Sequence, residues 1–584
     1  MKRSLTSSLA ILALLITALS LPAASSAAKA AVTVSPGPTA RNASVWSEIS
    51  FRGLPARKAG SIKVRGGRSG DHAFSRKRHG DNRGFSLVMK RPFLKSERVS
   101  VRTGLRIPGA KGGDYKFKVE NIGGPRVKRN GKSKLEPAGP PLYRSRPDLI
   151  PPALDVRKNT PEAGTDPVFV GSKSRGAAIY ASDGEPIWFR AMRSTDFRTQ
   201  TYRGEPVLTW YESPTEGSKL KRASYAIANR AYKVIERFTP GNGYSADSHE
   251  FRLTGRDTAY ITSYRTVRRD LRFLGLPKDG RVSDSIAQEV DLRTGRVIWE
   301  WHSLDHVPVR QSYANGPKFP GNPYDYFHIN SITDTADGNV LISGRSANAV
   351  YKVNRGTGKV IWTLGGKSSD YELGPGALFS WQHDAQPLSG NRVSIFDNAD
   401  SPVADAPWAD QSRGIVLQLD NRAKTATLVN EFKHPQKPLA PTQANVQPLA
   451  TGNYLVGWGQ VPWVTEYAAD GTIVFDATVR DTGSFYRAYR QPWTGRPGTP
   501  VDIAAEARDG GTTRVWASWN GDSSVRTWRV QAGPNPDSLT TAGEFPRTGF
   551  ETAMDVPSDQ TSFKVQGLDA AGQVIGGSAA ITVR

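Results

Sequence analysis

Three of the eight histidines in this 584-residue chain stand in a pattern that could support chemistry. His249 (in DSHEF), His328 (in FHIN) and His383 (in QHDA) each lie some way ahead of an apolar, strand-like run, in three different copies of a repeated segment. Arg345 ends one such run (LISGR), and Asn330 follows His328 closely. A lone histidine near a strand is ordinarily a packing or hydrogen-bonding residue. Three in corresponding phase, with a guanidinium and an amide nearby, argue for a site. His302, His306 and His434 lack that phase and are read as structural. His72 and His79 lie in Gly/Arg-rich loop sequence and are read as surface residues.

Three neutral imidazoles can hold zinc. A permanently charged guanidinium beside a divalent cation is electrostatically unfavourable, however, so no metal is expected at this set. Arginine suits an oxyanion, which it grips through a planar fork of donors. An imidazole can also attack an electrophilic centre and split one hard transfer into two easier ones. With Arg345, Asn330 and two further histidines donating to non-bridging oxygens, the set suits a transferring sulfuryl or phosphoryl group. Asp325 and Asp384 are the carboxylates near these motifs, too few for a glycosidase pair or a calcium-dependent lactonase cage.

The elements that position these residues form a repeat running from about residue 166 to 496. One unit is a polar turn followed by β-branched and aromatic residues: SDGEPIWF, NRAYKVIERF, RTGRVIWEW, GTGKVIWTL, NRAKTATLVNEF and ADGTIVFDA. A second unit, a turn and then an apolar strand, is interspersed with it as DPVFVGS, GEPVLTWY, RDTAYITSY, DGNVLISGR, SGNRVSIFD and TGNYLVGWG. Six copies of each predict an all-β fold with a six-bladed β-propeller at residues 166–496, whose blades bury their faces against their neighbours. Equivalent positions then converge on a central channel.

The flanks read differently. Residues 1–30 carry a basic start, an apolar run from Leu9 to Leu21 and small residues, as an export signal does; the run falls short of the roughly 20 apolar residues of a membrane span. The mature protein is expected outside the cytoplasm, at an extracellular, cell-surface or periplasmic location. Residues 31–136 hold short β-like runs between Gly- and Pro-rich turns and are expected to form a basic β-sandwich-like domain. Residues 137–165 are a Pro-rich connector, extended or wrapping. Residues 497–584 read as a fibronectin type III-like sandwich, with Trp516 and Trp519 as a pair. There is no cysteine, which removes disulfides, thiol chemistry and thiolate metal sites. Of the net charge of +24, residues 31–150 hold 27 Lys and Arg against 8 Asp and Glu. That surplus suits contact with an anionic wall polymer or membrane surface, or serves solubility alone, and nucleic acid is not expected as a partner of an exported protein.

The ordered segments DSHEF, DYFHINSI, NVLISGR, TGKVIWTLGG, FSWQHDA, SIFDN and SFYRAYR resemble the bacterial arylsulfate sulfotransferases over about residues 150–495. The resemblance implies a six-bladed propeller and transfer of a sulfuryl group from an aryl sulfate to a phenol through a covalent sulfohistidine, with neither PAPS nor any other cofactor. Carried over by position, His383 is the nucleophile, and His249, His328, Asn330 and Arg345 bind the sulfuryl oxygens and assist the leaving group. The Gram-negative members carry a disulfide that this chain lacks the cysteines to form, so it looks like a more distant branch. Two other readings stay open. One is a non-catalytic cell-surface propeller for adhesion or anion binding. The other is a quinone-dependent propeller, whose tryptophan-docking turns TGKVIW resembles, though the acidic channel set is missing.

Overall fold

A computed structural model describes residues 32–122, 140, 142–216, 220–400, 410–480 and 483–583. The proposed export signal lies outside these residues, as do residues 137–139 and 141 of the Pro-rich connector. Among the described residues no helix is long and apolar enough to cross a membrane. The fold is all-β, with 47% strand and 4% helix, and it is dominated by four-stranded antiparallel sheets consistent with propeller-like folds.

Six of these sheets follow one another along the chain, each running from a first strand outward to a fourth. Sheet I is Ala488–Arg490, Val168–Gly171, Ala177–Tyr180 and Pro186–Arg190; sheet II is Ser194–Tyr202, Glu205–Glu212, Ser224–Ala228 and Val234–Phe238. Sheet III is Phe251–Leu253, Thr258–Arg269, Gly280–Asp291 and Val297–His302; sheet IV is Ile329–Asp334, Val340–Gly344, Ala349–Val353 and Val360–Gly365. Sheet V is His383–Leu388, Arg392–Asp397, Arg413–Asp420 and Thr425–Phe432; sheet VI is Asn445–Pro448, Tyr454–Gly457, Trp463–Tyr467 and Ile473–Val479. The turn-plus-apolar repeat is the second strand of every sheet, and the repeat ending in aromatics is the fourth.

Strand contacts link each sheet to the next, from II through to VI. Sheet VI returns to sheet I through Ala488–Arg490, which also touches the first strand of sheet II. The end of the repeat region thus supplies the first strand to a sheet whose other strands lie some three hundred residues earlier. Inside the connector, Leu154–Asn159 is a strand that pairs with Ile473–Val479 as a fifth member of sheet VI.

Successive sheets pack through residues at one register of the first strand. Phe251, Ile332, Ala385 and Val446 occupy it, each at most 1% exposed. Full burial of a large apolar side chain is worth about 1.5–3 kcal/mol. The period-two pattern then turns the alternate residues, Glu250, Asp384 and their neighbours, toward the middle of the ring of contacts.

Upstream, two four-stranded sheets share a core built on Ile49, Phe51, Phe85, Val99 and Phe117. His72 and His79, read from sequence as surface residues, are 4% and 1% exposed. His72 packs on Phe93 at 4.6 Å and meets Ser69, and His79 lies between Arg52 and Ser86. Glycine and arginine around them suggested open loops, but His79 directly follows the strand Phe74–Arg78 and its ring folds back onto the sheet. Downstream, residues 502–582 form two further sheets whose buried tryptophans are Trp519 and Trp528, while Trp516 is only half-buried.

Candidate active site

Sheets III, IV and V bring the candidate residues together at the ends of their first two strands. The pairings Leu253↔Ala259, Asp334↔Val340 and Pro387↔Val393 are equivalent in sheets III, IV and V. Four residues back from Leu253, Asp334 and Pro387 stand His249, Asn330 and His383. Five residues on from Ala259, Val340 and Val393 stand Tyr264, Arg345 and Asn398. The site is therefore built from two layers of equivalent positions. His328 belongs to neither, so three histidines in common phase, as the sequence suggested, is corrected to two histidines and Asn330. His328 lies two positions earlier, beside a register shift between Ile329 and Ser331.

His328 has a φ of +55°, a left-handed conformation that costs a non-glycine residue on the order of 1–3 kcal/mol. It is held there by its carbonyl, which accepts from the Arg345 N–H at 3.1 Å, and by its ring, whose Nδ1 lies 2.5 Å from Asp325 Oδ2. Burial pulls the His328 pKa below the ordinary imidazole range although Asp325 pulls it up. His249 is tied in the same way, Nδ1 to Asp247 Oδ2 at 2.6 Å. Burial pushes the Asp247 carboxyl up, but His249 and Thr262 outweigh it and hold the group at about 2, so the carboxylate stays ionised. The two imidazole rings meet edge to face with centroids 4.9 Å apart, flanked by Tyr264 and Tyr486.

His383 is 2% exposed. Its Nδ1 lies 2.8 Å from Asn398 Oδ1, and its Nε2 accepts the Gln443 N–H at 3.2 Å. Burial drives its pKa well below the ordinary value, and Arg345, His328 and His249 push the same way. The ring is neutral at physiological pH. Its backbone is anchored from sheet IV: Asn330 Nδ2 donates to the Gln382 carbonyl at 2.7 Å, and the Gln382 amide donates to Ser343, Gly344 and Ala349. One of the two amide hydrogens of Asn330, read from sequence as a sulfuryl-oxygen donor, is thus engaged in placing the residue before His383. The Asn330 Oδ1 is buried without a partner.

Arg345 packs its guanidinium over the Trp381 ring at 4.6 Å and reaches the Pro441 carbonyl with a long 3.4 Å bond. Its Nε is buried and unpartnered, and burial lowers its pKa to about 10. Among the described residues no carboxylate lies within ion-pair distance of it. Asp325 and Asp400 act on it only from beyond contact, and a desolvated cation with no contacting carboxylate, beside a neutral imidazole, can receive an anion. The preceding Gly344 is required by space, since a Cβ there would stand 2.8 Å from the Phe327 ring.

Below the histidines the middle of the ring is sealed. Arg487, fully buried, reaches Asp196 of sheet II, Glu250 just ahead of the first strand of sheet III, the Asn330 carbonyl of sheet IV and Asp384 of sheet V. Carboxylates are thus more numerous than Asp325 and Asp384, but each is committed to an arginine or a histidine. Sequence reasoning gave no role to Asn398, Asp247, Arg487 or Gln443. Asp247 had a local signal, standing two residues before its histidine; the others are joined to the site only by strand pairing and ring closure. A polar cavity of about 620 Å³ opens on the other side of the Arg487 seal, lined by Arg252, Gln386, Gln447 and Gln491 among others. Those amides clamp adjacent strands, and none of the histidines lines it.

Residues 203–480 match the family described as Arylsulfotransferase (ASST). No curated protein matches the sequence. Among solved structures, a protein of unknown function from Bacteroides caccae is 12% identical, with 56% of this chain and 98% of that one covered at a TM-score of 0.34. Hydrazine synthase from Kuenenia stuttgartiensis is 11% identical, with 68% and 96% covered at a TM-score of 0.32. An auxiliary nutrient binding protein from Bacteroides ovatus is 13% identical, with 77% and 98% covered at 0.29. Likenesses this loose carry no conclusion about this chain.

Proposed function

The chain belongs, through residues 203–480, to the arylsulfotransferase family, and from that premise we propose that it moves a sulfuryl group from an aryl sulfate to a phenol through a sulfohistidine at His383. The observation that carries this reading is a buried, neutral imidazole beside Arg345, a desolvated guanidinium that no carboxylate among the described residues contacts within ion-pair distance. In the first half, Nε2 gives up the 3.2 Å bond it accepts from the Gln443 N–H and attacks sulfur, the S–O bond to the aryl group breaks, and its electron pair leaves on the phenolic oxygen. Arg345 holds the sulfuryl oxygens, where charge is concentrated, in a site shielded from water. The proton for the departing phenolate comes from the His249–Asp247 pair, joined Nδ1 to Oδ2 at 2.6 Å. In the second half, His328, unprotonated at neutral pH, takes the proton of the acceptor phenol, whose oxygen attacks sulfur. The N–S bond breaks and its pair returns to Nε2. The proton that His328 gains passes to His249, whose ring meets it with centroids 4.9 Å apart, and this restores the starting protonation without a metal or a nucleotide.

The repeat region then reads as six blades of a propeller with this chemistry at one mouth, flanked by an N-terminal β-sandwich-like domain and a C-terminal fibronectin type III-like domain. The basic N-terminal surface is proposed to contact anionic polymer or membrane surface, and the protein to be exported. Salt-dependent sedimentation with cell envelopes and cell fractionation test these two points.

The decisive experiment gives the protein a chromogenic aryl sulfate and a second phenol and follows both phenol release and the sulfated acceptor. Wild type is expected to make both, and His383→Ala neither. Full transfer by His383→Ala removes His383 as nucleophile. Sulfate binding without turnover in wild type moves the protein to the anion-binding reading.

A further inference from the structure

His249 and His328 present Nδ1 to a carboxylate, Asp247 at 2.6 Å and Asp325 at 2.5 Å. His383 presents the same atom to an amide, Asn398 Oδ1 at 2.8 Å. The orientation of that amide is fixed by its other end. Asn398 Nδ2 donates to the carbonyls of Ala440 at 2.6 Å and Gln443 at 3.1 Å, two acceptors that an oxygen could not face. Oδ1 therefore points at His383, so Nδ1 carries the hydrogen and Nε2 the lone pair. The Gln443 N–H aimed at Nε2 agrees, because a donor there requires an acceptor. Asn398 is fully buried, so water does not replace it. It also occupies the register of Arg345 and Tyr264 in the neighbouring sheets, the layer that faces the site.

We propose that Asn398 is the positioning residue that makes Nε2 the attacking atom of His383 and keeps the sulfated ring reactive. The inference rests on the sulfohistidine reading above. When the Nε2–S bond forms and the S–O bond to the aryl group breaks, the electron pair leaves with the phenolic oxygen and the Nδ1 hydrogen stays where it is. An amide oxygen is far too weak a base to remove it. The ring thus carries a positive charge that draws electrons from the N–S bond and makes Nε2 a good leaving group for the acceptor phenol. A carboxylate at this position would take the Nδ1 proton, leave a neutral sulfated ring, and slow the second transfer. The same carboxylate in the free protein would stabilise imidazolium and withdraw the lone pair. A neutral hydrogen-bond acceptor avoids both losses, whereas the two auxiliary histidines, which handle protons, keep carboxylates.

The test uses the full chain with ¹⁵N-labelled histidine, the His383 signals being identified by their loss in His383→Ala. Wild type is expected to show His383 neutral with hydrogen on Nδ1. Asn398→Asp is expected to raise the pH at which His383 protonates by about one to three units, the usual effect of an adjacent opposite charge. Protein exposed to an aryl sulfate and then chased with a phenol is followed by mass for the added SO₃ group. Discharge in Asn398→Asp is expected to slow at least about tenfold, the equivalent of one unit of basicity in the leaving nitrogen. Asn398→Ala is expected to populate both tautomers. Hydrogen on Nε2 in wild type, or an Asp variant that discharges as fast as wild type, overturns the proposal. Neither result depends on the other, and the wild-type tautomer is read without either Asn398 variant having to fold. Transfer that survives in His383→Ala would instead overturn the underlying reading, leaving the tautomer measurement standing.

Discussion

The two carboxylate-backed histidines and the amide-backed one make an internal comparison within a single site. His249 and His328 face Asp247 and Asp325, lie with rings in contact, and are partly exposed, at 15% and 22% of their side chains. His383 faces Asn398, lies in another sheet, and is shut away. Similar rings in neighbouring sheets are thus set for different work. A carboxylate behind an imidazole makes it a place to keep or exchange a proton; an amide behind it in a dry setting keeps the proton off and the lone pair available. Beside them Arg345, lowered to about 10, supplies charge that holds through the neutral range.

The comparison can be broken most severely at the cation. Arg345→Ala is expected to lower kcat/KM by about 10²–10³-fold, as loss of a preorganised oxyanion donor does, with Arg345→Lys recovering little because an ammonium lacks the planar fork. Steady-state rates with one aryl sulfate measure it. Next is the leaving-group pair. Asp247→Asn makes His249 resemble His383, and transfer from unsubstituted phenyl sulfate is expected to fall about 10²-fold. Transfer from a nitrophenyl sulfate, whose phenolate needs no proton, should change far less; an equal loss with both donors removes His249 from proton delivery. The smallest effect is expected at Asp325→Asn. Asp325 raises the pKa of His328, so its removal lowers that pKa further. Activity that needs neutral His328 is lost as pH falls through this pKa, so the acid limb of the pH–rate profile should move about one unit toward lower pH. A shift the other way assigns His328 a different task.

The repeat was legible because strand alternation and turn chemistry are local, and every copy of both repeat units falls on the same strand of its sheet. The candidate histidines, Asn330 and Arg345 were legible through ordered motifs around them. Phase was not. His328 stands two residues off the register of His249 and His383, because a left-handed residue and an adjacent register shift displace it, and no local residue announces that. Asn398 was invisible for a related reason. It meets His383 from the far end of the adjoining strand, past a second register shift between His383 and Gln386, so spacing alone does not pair them. Arg487 reaches Asp196 across 291 positions, a distance at which sequence carries no pairing signal. The polar role of His79 was hidden by the loop-like glycines and arginines around it, although its ring is bonded to Ser86 inside the sheet.

The seal beneath the histidines also sets a clock. Arg487, together with Tyr486 at the His249 ring, arrives on the stretch that closes the ring of sheets, while the carboxylates it gathers are made from residue 196 onward. Until that stretch emerges, Asp196 and Glu250 have only Arg198 between them and Asp384 has no arginine partner, so the site they underlie has no floor. A nascent chain stopped short of residue 490 would hold all five candidate residues and still be inert, so competence should switch on late and all at once as synthesis passes that point.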